Sequence, residues 1–122
     1  EMDKISVLIS KEAIETRIQE MADRLNREYA GQEVHLVGIL KGSVFFVCEL
    51  AKRLSMPVTM DFMSVSSYGA GTESTGRVKI VMDLAESIQD KNVIIVEDII
   101  DSGNTLNYLL SVLSNRNPAS LR

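Results

Sequence analysis

The sequence predicts an α/β fold in which a mainly parallel, twisted sheet is flanked by helices. Two short and almost continuously apolar runs, Val34–Leu40 and Val93–Val96, are typical of strands covered on both faces. Around these runs, apolar residues recur at the three- and four-residue steps of amphipathic helices. Strands that alternate with helices favour a parallel sheet, whose ligands bind at the carboxyl ends of the strands.

The first predicted element is an amphipathic helix near the N-terminus. Its apolar residues fall on one helical face: Ile14, Ile18, Met21, Leu25 and Tyr29. Ser10 is a good N-cap, Glu12 suits the first turn, and Gly31 is a suitable C-terminal stop. We therefore predict one helix between Ser10 and Gly31.

A strand, a helix and a second strand are predicted next. The strand Val34–Leu40 contains His35, the only histidine of the chain, which we interpret as a satisfied or edge residue rather than a catalyst. A helix is expected after Gly42 and should end before Pro57. Its apolar positions are Val44, Val47, Ala51 and Leu54. Val58, Met60 and Phe62 then alternate with other residues in the pattern of a strand.

The remaining elements follow a glycine-rich segment. Residues Ser66–Gly76 are small and polar and form too long a run for a tight hairpin, so we predict a mobile loop there. Val78–Met82 and Val93–Val96 are predicted strands. A last helix ends near Asn117-Pro118. Its apolar stripe consists of Leu106, Leu109, Leu110 and Leu113.

Composition restricts the classes of protein that this chain can represent. Its 122 residues correspond to at most one domain, and a net charge of −4 argues against a general nucleic-acid binder. Cys48 is the only cysteine, so no internal disulfide is possible; we predict that it packs as a small apolar residue. No apolar run approaches the length of a membrane span, and the N-terminus lacks a secretory pattern. We expect a cytoplasmic protein.

The most informative stretch runs from Val93 to Leu106. An apolar strand leads to the adjacent carboxylates Glu97 and Asp98, and a loop of small hydroxyl and amide residues then opens a helix. This order suits a sugar phosphate, because carboxylates can bind ribose hydroxyls and the amides at a helix N-terminus can bind a phosphate. Gly103 allows the backbone to approach the ligand closely.

This stretch resembles the 5-phosphoribosyl 1-pyrophosphate (PRPP) signature of the type I phosphoribosyltransferases, and it is most similar to the hypoxanthine-guanine branch. Two further segments resemble the same family in the same order, so the resemblance extends over nearly the whole chain. The three segments are Gly38–Ser43, Asp61–Met63 with Ser66–Gly69, and Val96–Gly103. The resemblance implies transfer of the phosphoribosyl group of PRPP to a 6-oxopurine, hypoxanthine or guanine, with release of pyrophosphate in purine salvage.

The resemblance also implies a loop that faces the leaving group and a catalytic lid that closes over the reactants. The pyrophosphate-binding residues would be Leu40, Lys41, Gly42 and Ser43. In this family the peptide bond before the lysine can be cis, so we predict a cis bond between Leu40 and Lys41. Ser67 and Tyr68 resemble the start of a catalytic lid, and we expect Gly69–Thr75 to be poorly ordered without ligand.

The remaining site residues are assigned by the same resemblance. Glu97 and Asp98 would bind the ribose of PRPP and a Mg²⁺ ion shared with the substrate, and Mg²⁺ is the expected cofactor. The 5′-phosphate-binding residues would be Asp101, Ser102, Gly103, Asn104 and Thr105. Asp101 also resembles the general base near the purine N7, a role that competes with that of a simple helix N-cap.

One departure from the family concerns the C-terminal side. Members of the family continue well beyond the helix that follows the PRPP loop, and that continuation carries the lysine and aromatic residue of the purine pocket and an aspartate linked to a second magnesium. We therefore expect a C-terminally truncated fold, with residues 1–122 as part of a single core domain. With no strand expected after the last helix, a bare sheet edge would favour a homo-oligomer.

Three other functions remain open from the sequence. A PRPP-sensing regulator would use the same fold, although the acidic balance weighs against binding to nucleic acid. An α/β receiver domain also has acidic strand ends that bind magnesium, but its phosphoacceptor aspartate and later lysine have no good counterparts here. The chain could also be an inactive PRPP-binding fragment of the transferase. Neither a nucleic acid nor a membrane is an expected partner; PRPP, a purine base and its nucleotide are.

Overall fold

A computed structural model of the chain describes residues 10–67, 78–97 and 104–122. The elements in these ranges are α1 (Lys11–Glu28), β1 (Val34–Ile39), α2 (Val44–Lys52), β2 (Val58–Ser67), β3 (Val78–Met82), β4 (Asn92–Val96), α3 (Asn104–Ser114) and β5 (Ser120–Leu121). The strands form one sheet in the order β3-β2-β1-β4-β5. All neighbouring pairs are parallel except β2 and β3, which are antiparallel. The predicted α/β fold with a mainly parallel sheet is confirmed.

The topology brings the ends of the two most apolar strands together. β1 lies between β2 and β4, and Gly38 is paired with Phe62 on one side and Val96 on the other. Because β1 and β4 are parallel neighbours, the segments that follow Ile39 and Val96 leave the sheet at the same edge. Both segments belong to motifs that the sequence singles out, so this edge is the candidate functional edge.

The sheet is covered on both faces, as the continuous apolar runs predict. On one face, α1 and α2 pack against the sheet around a buried cluster that includes Ile18, Leu25, Leu36, Val47 and Leu50. On the opposite face, α3 packs around a second cluster that includes Val37, Met63, Ile88, Leu109 and Leu113. The two clusters are separated by the sheet and hold it in place from both sides.

The first helix begins and ends as its sequence predicts. The Ser10 side chain accepts a hydrogen bond from the Ala13 amide at 3.0 Å, which makes it the N-cap. Gly31 follows the helix with a φ of +79°, a left-handed conformation that glycine adopts without steric cost. Ile14, in the first turn of α1, differs from the prediction, because it is 38% exposed.

Three expectations from the sequence are wrong. Ser66 and Ser67, expected in a loop, are in β2, where they pair with Lys79 and Val78 across an antiparallel ladder that requires no tight turn. Cys48 is exposed. Val47 and Leu50 form the buried side of α2, and Cys48, one residue after Val47, is turned about 100° around the helix axis from Val47.

The third wrong expectation concerns the edge of the sheet next to β4. A two-residue strand, Ser120–Leu121, follows α3 and pairs in parallel with β4, whereas no strand was expected there.

None of the helices in the described part of the chain is both long enough and apolar enough to cross a membrane.

The connection between β3 and β4 is tied to the sheet by polar contacts. Asp61 in β2 accepts hydrogen bonds at Oδ2 from the amides of Ala85 and Glu86, at 2.8 and 3.1 Å. Arg116, two residues after α3, donates two hydrogen bonds to Asp83, at 2.9 and 3.0 Å. These contacts hold the connecting segment against the sheet. Its buried residue Ile88 packs in the cluster beneath α3.

His35 is buried in the central strand β1, so it is not an edge residue, and within the described part of the chain only one of its two ring nitrogens is satisfied. Its exposed fraction is 2%, and its Nδ1 atom lies 2.6 Å from the Thr59 hydroxyl. Its Nε2 atom has no hydrogen-bond partner among the described residues. Burial lowers the pKa of His35 and the positive charge of Lys91 lowers it further, whereas Asp61 and Glu86 oppose this shift.

This lowered pKa predicts a loss of stability in acid. The unfolded chain binds the His35 proton near pH 6.5, whereas the folded chain binds it only at a lower pH. The stability that depends on neutral His35 is therefore fully present above about pH 6.5 and is lost as the pH falls below it, at a rate of at most about 1.4 kcal/mol per pH unit.

Urea unfolding at pH 7.5, 6.5 and 5.5, compared between the native chain and His35→Gln, measures this contribution. Glutamine does not titrate, so the variant should lose less stability between pH 6.5 and 5.5 than the native chain. Equal losses in the two proteins would show that His35 does not contribute to the acid sensitivity.

Candidate functional site

The candidate site begins with the loop between β1 and α2, residues 40–43. The Leu40–Lys41 peptide bond is cis, as predicted. The Leu40 amide donates to the Met63 carbonyl at 2.9 Å, and the Val44 amide donates to the Lys41 carbonyl at 3.2 Å. These bonds tie the beginning of the loop to β2 and its end to the start of α2.

The outer part of this loop carries hydrogen-bond donors without protein partners. Lys41 and Gly42 are both exposed, and within the described residues their amides donate to no acceptor. The Lys41 ammonium group likewise forms no ion pair with a described residue. Two adjacent free amides beside a positive charge are suited to bind an anion.

Beneath the loop lies Ser43, which is fully buried. Its hydroxyl donates a hydrogen bond of 2.7 Å to the carbonyl of Ile39, the last residue of β1. It does not cap α2, for which no side-chain cap bond is present. The sequence places Ser43 among the pyrophosphate-binding residues; the structure gives its hydroxyl an internal partner instead.

The second part of the site is the end of β4. Glu97 follows Val96 directly, is half-buried, and lines a cavity of about 390 Å³ between α1, α2 and the sheet. Apolar side chains form most of the wall of this cavity, and Arg24 and Arg122 contribute positive charge to it. Glu97 is therefore at the edge where the β1 loop also emerges, but part of its surroundings is apolar rather than solvent.

The rest of the predicted PRPP loop can be followed only at its C-terminal end. α3 begins at Asn104, with Thr105 in its first turn, which agrees with a helix that opens after the loop. Asp98, Asp101, Ser102 and Gly103 lie outside the described residues. The lid residue Tyr68 and the segment 69–75 do as well, so their predicted order and roles stay predictions.

A magnesium site cannot be assembled from the described residues alone. Among residues 10–67, 78–97 and 104–122, no group of three histidine, cysteine, aspartate or glutamate side chains is placed to hold a metal ion. Glu97 offers carboxylate oxygens of the kind that Mg²⁺ prefers. Its chemistry fits a metal shared between the protein and an oxygen-rich ligand.

Two residues near this edge have roles that the sequence analysis did not assign. Gly38 lies in β1, two residues before the loop, and an added Cβ there would come within 2.8 Å of both the Phe62 ring and Val47. Asp61 accepts three backbone hydrogen bonds, two of them from the distant Ala85 and Glu86. From the sequence, Asp61 is named only as part of a family-like segment; its position as the one charged residue of β2 is the signal that could have indicated this structural role.

Comparison with known proteins gives a consistent result. Residues 7–122 match the family model described as a phosphoribosyl transferase domain. The hypoxanthine phosphoribosyltransferase of Buchnera aphidicola is 44% identical over 119 residues, which cover 96% of this chain. The bifunctional protein TilS/HprT of Listeria innocua is 46% identical over 116 residues, which cover 95% of this chain. A hypoxanthine phosphoribosyltransferase from Trypanosoma cruzi, solved in complex with the product IMP, is 41% identical, covers 94% of this chain and has a TM-score of 0.84.

These relatives are longer than the chain. The matched region represents 67% of the Buchnera protein, 66% of the solved T. cruzi chain and 18% of the bifunctional Listeria protein. The similarity therefore extends over almost all of this chain but over about two thirds or less of each relative.

Proposed function

Because the chain belongs to the phosphoribosyltransferase domain family, we propose that it transfers the 5-phosphoribosyl group of PRPP to a 6-oxopurine. Hypoxanthine would give IMP and guanine would give GMP, as steps of purine salvage, with release of pyrophosphate. The observation that carries the proposal is the exposed loop at residues 41–42, whose free amides and lysine lie at the same sheet edge as the acidic end of β4.

The loop would bind the pyrophosphate group, which is the leaving group of the reaction. The amides of Lys41 and Gly42 can donate to phosphate oxygens, and the Lys41 ammonium group can balance their negative charge. These donors are held by the backbone, so they would need little rearrangement as negative charge builds on the departing pyrophosphate. Binding through such fixed donors lowers the barrier to breaking the bond between C1 and the pyrophosphate oxygen.

The end of β4 would bind the ribose. The carboxylates of Glu97 and Asp98 can accept hydrogen bonds from the 2′- and 3′-hydroxyls, and Glu97 and Asp98 would also hold Mg²⁺. When bound, Mg²⁺ would neutralise part of the pyrophosphate charge. A carboxylate near the ribose also stabilises positive charge at C1, which develops when the leaving group departs before the new bond is complete.

The PRPP loop and α3 would bind the 5′-phosphate. Amides at the start of α3 and its dipole favour a negative group there. The donors would come from the segment Asp101, Ser102, Gly103, Asn104 and Thr105. In the transfer step, a purine nitrogen attacks C1, pyrophosphate leaves with the bonding electron pair, and Asp101 accepts the proton that the purine loses.

Several further features belong to the same proposal. Residues 1–122 would form part of a single core domain, the lid beginning at Ser67 and Tyr68 would close over the reactants, and the protein would act in the cytoplasm as a homo-oligomer. PRPP, a purine base and a purine nucleotide would be its small-molecule partners. The IMP bound to the similar T. cruzi enzyme supports a purine nucleotide as product.

The proposal is tested by incubating the protein with PRPP, Mg²⁺ and hypoxanthine, guanine or xanthine in turn, and measuring nucleotide formation. Asp101→Asn is the control, because it keeps the side-chain size but cannot accept the proton. We expect product with hypoxanthine or guanine that is lost in the variant. Binding of PRPP without product would indicate a PRPP-binding piece or a regulator, and no binding of PRPP would contradict the proposal.

A further inference from the structure

We propose that Ser43 is a positioning residue whose buried hydroxyl holds the pyrophosphate loop in its binding conformation. The inference rests on the proposed function, since it concerns how that loop is prepared for its ligand. Ser43 has no exposed surface, so its side chain does not reach a ligand above the loop. Its effect on binding must therefore pass through the backbone that it holds.

The contact made by Ser43 closes the loop on itself. Its Oγ atom donates to the Ile39 carbonyl at 2.7 Å, which joins the end of β1 to the residue before α2. The three residues between these two anchors include the exposed Lys41 and Gly42. The hydrogen bond thus fixes the separation of the two ends of the segment that presents the free amides.

The surrounding contacts leave few other supports for the loop. The Leu40 amide donates to the Met63 carbonyl of β2, which holds the beginning of the segment. At its end, the Lys41 carbonyl accepts from the Val44 amide at 3.2 Å and the Ser43 carbonyl accepts from the Val47 amide at 2.9 Å. The Ser43 hydroxyl is the side chain that links the beginning of the loop, at Ile39, to its end. Without this hydrogen bond, the loop should sample conformations in which the Lys41 and Gly42 amides no longer converge. The affinity for pyrophosphate should then fall in proportion to the fraction of molecules that keep the binding conformation.

The experiment measures binding of magnesium pyrophosphate and of ribose 5-phosphate separately, by titration calorimetry, to the native protein and to Ser43→Ala. Loss of one neutral hydrogen bond should weaken pyrophosphate binding about 3- to 10-fold. Ribose 5-phosphate would bind at the PRPP loop and should keep its affinity. Ser43→Cys fills the buried volume with a slightly larger side chain that has only a weak donor, so it should weaken pyrophosphate binding as alanine does, without leaving a cavity.

Ser114→Ala is a control for the loss of a serine hydroxyl away from the loop: the exposed Ser114 hydroxyl donates to the Ser111 carbonyl at 2.9 Å, at the end of α3. This variant should bind both probes as the native protein does. Unchanged pyrophosphate binding in Ser43→Ala, or an equal loss for both probes, would overturn the positioning role. Absence of pyrophosphate binding by the native protein would instead refute the proposed function, and the positioning role with it.

Discussion

Replacement of Gly38 by alanine is expected to lower the free energy of unfolding by about 2–3 kcal/mol. The new Cβ would lie 2.8 Å from a Phe62 ring carbon on one side and 2.8 Å from a Val47 methyl on the other. Val47 is fully buried and its branched side chain has little freedom to rotate, so α2 must move away from the sheet. Chemical denaturation of the variant measures the loss directly.

The same displacement should reach the proposed pyrophosphate loop. Val47 is four residues after Ser43, and its amide bonds to the Ser43 carbonyl at 2.9 Å, so a shift of Val47 is passed to the loop. We expect Gly38→Ala to weaken pyrophosphate binding in addition to lowering stability. Titration with magnesium pyrophosphate below the unfolding transition separates the two effects.

Two variants distinguish crowding from a general intolerance of alanine. Val47→Ala removes the methyl groups that the new Cβ meets, so the double variant Gly38→Ala/Val47→Ala should lose less stability than the sum of the single variants. Gly31→Ala adds a Cβ where no atom lies within 4 Å, but at a φ of +79°. It should cost only about 1 kcal/mol, from backbone conformation. A loss in Gly38→Ala no greater than in Gly31→Ala would contradict the crowding argument.

The strands and helices could largely be predicted because their signals are local. The run Val34–Leu40 is apolar except at His35, and a run this short is typical of a strand covered on both faces. The Ser10 cap and the Gly31 stop bracket the first helix for reasons confined to a few residues. Periodicity and capping depend on neighbours in sequence, and so they can be recognised without the fold.

The errors come from interactions between distant segments. Ser66 and Ser67 have the composition of a loop, yet pairing with Lys79 and Val78 extends β2 through them. That pairing depends on where β3 lies, which composition does not encode. Cys48 was expected inside because of its residue type, but its place on α2 directs it away from the sheet.

At the candidate site, too, the local pattern could be predicted, whereas contacts between distant segments could not. The order of strand, acidic pair, small-residue loop and helix is visible in the sequence, and the structure confirms the strand and the helix at either end of the motif. The internal contact of Ser43 was not predicted, because the resemblance places Ser43 in the pyrophosphate-binding loop without indicating what its hydroxyl contacts. Its burial is decided by how closely α2 packs on β1, and that depends on Gly38 and Val47.

Asp61 provides the second large predicted effect. Asp61→Ala should lower the free energy of unfolding by about 1.5–3 kcal/mol, the usual contribution of hydrogen bonds to a charged acceptor. The Asp61 carboxylate accepts from Ala85 at 2.8 Å and from Glu86 at 3.1 Å, so its loss releases the connection between β3 and β4. That connection carries Ile88, which is 1% exposed and packs in the cluster below α3.

Hydrogen exchange shows which part of the protein is destabilised by Asp61→Ala. The amides of Ala85 and Glu86 should exchange faster in Asp61→Ala than in the native protein, whereas amides in α1, on the opposite face, should be affected only through the global change in stability. Asp61→Asn keeps one acceptor oxygen and should cost less than alanine. Glu86→Gln disrupts only the exposed ion pair with Lys91, at 3.5 Å, and should change stability by less than about 0.5 kcal/mol. If Asp61→Ala were no more harmful than Glu86→Gln, the carboxylate would not be what holds this connection on the sheet, and the packing of Ile88 alone would have to account for it.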